Sequence, residues 1–150
     1  MVVVLFLFGA YRSLGGAQPK PTDSAVLLRA LHGQLRTSLA ALVAELDSPG
    51  ERGKESDAAR DGRKVSSAVQ QTLDRLAPPA GLDNRDATAR TLLAAAAEDS
   101  AWAWRMISAP LVSPAVTAAA TALADHAAAC CDQAGPLLEA SALGEPSDGP

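Results

Sequence analysis

The chain has 150 residues, 33 of them Ala, with two Trp, two Phe, one Tyr and a formal net charge of −4. This length suits one domain with a real core, and so much Ala with few β-branched or aromatic residues favours helix over sheet. Residues 1–75 carry ten basic and eight acidic side chains (+2), and residues 76–150 carry three and nine (−6). Neither half has the basic excess that phosphate backbones require, so nucleic acid is excluded as an expected partner.

The chain opens on an apolar run, Val2 to Ala10, followed by Tyr11 and Arg12. At about ten residues it is too short to cross a bilayer, which needs roughly 20. It matches the apolar region of a secretory signal, and Gly15-Gly16-Ala17 supplies small residues of the kind signal peptidase accepts. Residues 1–14 are therefore expected to be a leader, either a signal or a membrane anchor, with residues 2–11 touching the membrane. Residues 15–22 (GGAQPKPT) read as a linker, because Gly and Pro recur there without an apolar period.

Four helices are predicted over residues 23–143. The first, Asp23 to Asp47, places Leu28, Leu31, Leu35, Leu39, Leu42 and Leu46 three or four residues apart, one continuous stripe. Arg29, His32 and Arg36 fall together on the opposite side, a solvated face able to meet a phosphate or an acidic partner. The second, Asp57 to Ala77, has Ser56 as its cap and Ala58, Val65, Val69, Leu73 and Leu76 as its stripe. Its interior Gly62 should cost about 1 kcal/mol relative to Ala. Pro78-Pro79 stops it.

The third, Asn84 to Ser108 with Asp83 capping, bears two apolar stripes: Leu93, Ala97, Ser100, Trp104, Ile107, and Leu92, Ala95, Asp99, Trp102, Met106. Trp102 and Trp104 lie about 200° apart and cannot share a face. If Trp104 fills the core, then Trp102 and Met106 must pack on a terminal segment or on another protein. The fourth, from Ser113-Pro114 to Gly135-Pro136, is nearly all Ala, with a serine cap and a proline at the first helical position. Gly135 is expected to close it and Pro136 to forbid continuation, leaving PLLEASAL as a short separate helical turn. Its core stripe is Val116, Ala120, Leu123, Ala127, Cys130 and Ala134. Residues 144–150 read as a disordered tail.

Helices of 21–25 residues joined by short connections imply an all-α, up-down-up-down four-helix bundle. Little chemistry accompanies it. His126 and Cys130 stand one turn apart as two metal ligands could, but no third or fourth ligand is evident in the sequence. Di-iron chemistry needs Glu-x-x-His pairs, which are absent, and no orienting group for a Cys130–His126 nucleophile can be read. Cys130-Cys131 cannot bridge within a helix, and two small apolar residues or a disulfide to another chain remain. The expected role is non-enzymatic and without cofactor: an exported or membrane-tethered bundle acting on an unknown protein partner. The alternative is a soluble cytoplasmic bundle that holds a small apolar ligand or a metal ion.

Overall fold

The computed structural model describes residues 21–47, 56–76, 84–109 and 112–142. They form four helices and no strand: α1 Pro21–Asp47, α2 Asp57–Arg75, α3 Asn84–Ile107 and α4 Pro114–Ala142. The expectations for a leader at 1–14, the linker through residue 20, the Asp83 cap and the tail at 144–150 lie outside the described residues. The linker's last two residues belong instead to α1, which starts at Pro21, where a missing N–H has no cost. None of these helices is long and apolar enough to cross a membrane.

Each of α1 and α3 touches all three other helices, whereas α2 and α4 do not touch each other. The cross-section is therefore a rhombus with α1 and α3 across its short diagonal. Ser38 meets Ser66 while Glu45 meets Ser56, so α1 and α2 are antiparallel. Likewise Ser66 meets Ser100 while Arg90 reaches Leu73, so α2 and α3 are antiparallel. α4 returns along α3 after a short connection, with His126 beside Asp99. The result is the expected four-helix bundle.

Leu28, Leu31, Leu35, Leu39 and Leu42 of α1 are buried as one stripe, and they meet Leu93, Ala97 and Trp104 of α3 in the centre. At their middle sits a small polar layer. The Trp104 indole N–H donates to Ser38 Oγ at 3.1 Å, and Ser38 donates to the Gly62 carbonyl at 3.0 Å. Ser66 lies 3.1 Å from Ser38, and Ser100 donates to Ser66 at 2.9 Å. Each hydroxyl has one hydrogen, so the chain runs in one direction, from Ser100 through Ser66 and Ser38 to a backbone carbonyl. Every buried member is thereby satisfied, which is what makes such a layer tolerable in an apolar core.

This layer revises the reading of α2. Its buried stripe is Ala59, Gly62, Ser66, Val69 and Leu73, with Leu76 beyond, while Ala58 is exposed and Val65 only half-buried. The small residues Ala59, Gly62 and Ser66 make a slot, and the Trp104 indole fills it. A Cβ on Gly62 would overlap Trp104 Cζ2 and Cε2, and would stand 2.9 Å from Nε1. Gly62 is thus a packing requirement, not merely a weak helical residue.

The helix ends follow local rules. Ser56 accepts from the Ala59 amide at 3.0 Å and Ser113 from the Val116 amide at 3.3 Å, both as expected of caps. Arg90 closes the other end of α2, its Nη2 donating to the carbonyls of Leu73 and Leu76 at 2.8 and 3.1 Å. Asp86, one turn before Arg90, is only 5% exposed; its place in the first turn of α3 sets its charge against the helix N-terminus.

The end of α4 corrects the sequence reading. The helix passes through Gly135 and Pro136 to Ala142, so the separate turn is the last stretch of one long helix. Pro136 removes one internal hydrogen bond, at a cost of about 3 kcal/mol. Burial of Ala134 and Leu138 against the bundle on either side of it offsets that loss.

Two glycine substitutions separate packing from propensity. Gly62→Ala should lower stability by about 1–3 kcal/mol in urea unfolding, because the core must give way. Gly33→Ala, at a helical site with nothing within 4 Å, should raise it by up to about 1 kcal/mol. Equal shifts of the same sign would contradict the slot.

Candidate functional site

α4 is almost featureless where it faces the bundle. Ala120, Ala124, Ala127 and Ala134 are fully or almost fully buried, and they allow α3 and α4 the most extensive contact in the molecule. Val116 and Leu123, expected in this stripe, lie half-buried at its margin. The polar groups of α4 stand along its two seams, with α3 and with α1.

At the seam with α3, His126 Nδ1 lies 2.5 Å from Asp99 Oδ2. A carboxylate accepts, so Nδ1 carries the hydrogen and donates. With the ring neutral, Nε2 then holds a lone pair. That atom is 3.8 Å from Cys130 Sγ, one turn along the same helix. Carboxylate, imidazole and thiol are therefore in line across two helices. The His126 side chain is 63% exposed and that of Asp99 20%, while Cys130 is buried.

The sequence singled out His126 and Cys130 but did not supply Asp99. Its one signal was a carboxylate inside an otherwise apolar stripe, with Leu92, Ala95, Trp102 and Met106. Pairing Asp99 with His126 required the register between α3 and α4, which periodicity does not give.

The chemistry of this trio is constrained by where the thiol sits. Burial, and then the negative charge of Asp99, push the Cys130 thiol up from its ordinary value, so the neutral form is favoured. In mid-helix the neighbouring amides bond to carbonyls four residues back, and none is free to hold an oxyanion. Asp99 and Cys130 also approach opposite nitrogens of the ring, so the three cannot close around one ion. Consistent with that, no group of three or more His, Cys, Asp or Glu among the described residues is arranged to hold a metal.

Cys131 is more deeply placed. Burial chiefly, and Cys130 beside it, push its thiol up to about 11, against a smaller opposing effect of Arg36. Both cysteines are free thiols and both are buried, so a bridge to a second chain would require α4 to move.

At the seam with α1, the basic trio does not form the expected solvated face. His32 Nε2 donates to the Cys131 carbonyl at 2.9 Å, and its ring lies 3.5 Å from where a Gly135 Cβ would be. Arg36 reaches Asp132 at 3.5 Å across exposed surface. Arg29 turns back on its own helix, with Nε donating to the Ala25 carbonyl. The leucine stripe fills only the centre of α1, so residues flanking it meet α4.

Trp102 lies on the outer side of α3, 48% exposed, with the Arg105 guanidinium 5.0 Å from its ring centre. Met106, one turn on, is half-buried and packs against the core. Leu92 packs there too, so Trp102 stands as an isolated exposed indole on a small cationic mount.

Comparisons with protein-family models, with curated proteins and with solved structures find no match to this chain.

The thiols give a direct check on the seam. Iodoacetamide at pH 8 should leave Cys131 of the folded chain at least tenfold less modified than in the urea-unfolded chain, as read by mass spectrometry. Rapid modification of Cys131 in the native state would mean that α4 does not hold it in the core.

Proposed function

We infer that this protein is a non-enzymatic helical bundle that acts through contact with another protein, exported or held at a membrane by its apolar N-terminal segment. The observation that carries the contact reading is Trp102. The indole is left 48% exposed on a helix whose other large apolar residues pack inward, and Trp is among the side chains most enriched where interfaces concentrate their energy. Arg105 over the ring supports the same reading, because Arg is the other residue favoured at such points. The address rests on sequence alone, namely the run from Val2 to Ala10 and the small residues that follow it.

Two measurements in the native host test the parts separately. A photo-crosslinking amino acid placed at 102 should trap one predominant protein, whereas the same group at exposed Gln71 on α2 should not. Equal or absent crosslinking at both positions would remove the contact reading. Intact mass with membrane fractionation tests the address: loss of about 17 N-terminal residues, or recovery with the membrane, is expected. An intact chain found only in the soluble cytoplasmic fraction would overturn it.

A further inference from the structure

We propose that His126 Nε2 and Cys130 Sγ form an open site for a zinc-class divalent cation, with Asp99 fixing the imidazole. Three observations converge on it. First, Asp99 accepts from Nδ1–H, which in the neutral ring leaves the Nε2 lone pair facing the Cys130 thiol. This is the arrangement of carboxylate, imidazole and metal in which the carboxylate orients the ring and raises its basicity.

Second, the spacing fits. Zinc binds sulfur at about 2.3 Å and imidazole nitrogen at about 2.0–2.1 Å, so ligand–metal–ligand angles of about 110–120° place the two donors about 3.5–3.8 Å apart. The observed separation is 3.8 Å, set by one helical turn and reached without moving the backbone. Third, the ring is largely exposed while the sulfur is held against the bundle, so an ion can enter from solvent on the imidazole side. Binding replaces the thiol hydrogen by the metal and releases that proton to water. Two coordination positions stay open for water or for a donor from outside the chain. The site is independent of the contact role assigned to Trp102.

Cobalt(II) is the probe, because a cobalt–thiolate bond gives a charge-transfer band that a cobalt–imidazole bond does not. Titrated into the reduced full-length chain, Co²⁺ should produce this band with saturation at one ion per chain, and Zn²⁺ should abolish it. Cys131→Ser should keep the band. Cys130→Ser should lose it, and Asp99→Asn should weaken binding by about 10-fold or more. His126→Gln, at an exposed position where the helix tolerates the change, should weaken binding at least as much with helicity unaltered. Absence of the band in the wild type, an affinity unchanged in His126→Gln, or a band lost in Cys131→Ser but kept in Cys130→Ser would each overturn the site.

Discussion

The bundle depends on the seating of one side chain, Trp104, in a slot that α2 makes from small residues. The indole is the largest fully buried group in the described residues, and its body bears on Gly62 while its N–H reaches Ser38 on α1. One residue of α3 thereby fixes the level of both α1 and α2. The leucines of α1 supply apolar burial, but burial is non-directional and would tolerate a slide of one turn. The indole hydrogen bond and the serine chain would not, since a slide would strand several buried polar groups at a cost of about 1–3 kcal/mol each.

α4 is fixed in a different way. It has no member in the serine layer and no contact with α2, and it lies in the groove between α1 and α3 on a surface of Ala. Ala permits close approach but says little about register. Register comes from the margins, where His126 meets Asp99 and His32 meets the Cys131 carbonyl. The exposed Arg36–Asp132 pair adds at most about 1 kcal/mol. The His32 ring lies in ordinary contact distance of the Gly135 backbone, 3.5 Å from where a Cβ would stand. The two histidines thus hold α4 to its two neighbours, and the residues with the most chemical potential lie on the element with the plainest packing.

Periodicity and punctuation carried the architecture: the α1 leucine stripe, the Ser56 and Ser113 caps and the four-helix count all follow from them. The reading failed where a local rule met a tertiary demand. Gly62 looked like a helix weakness because its value lies in a neighbour 42 positions away. Pro136 looked like a terminus because the sequence does not show Ala134 and Leu138 burying on both sides of it. Arg90 capping α2 and Asp99 orienting His126 were missed for one reason: both act across a seam, and a seam needs the register of two helices at once. Trp102 and Trp104 were separable by their 200° offset, and the structure adds which of the two is inside.

The most direct measurement is collisional quenching of the single indole left in a Trp102→Phe chain. Trp104 in its slot should emit at short wavelength and resist acrylamide at concentrations that quench the urea-unfolded chain. Long-wavelength emission with quenching equal to that of the unfolded chain would mean that the slot is empty, and the account of the bundle would fail with it.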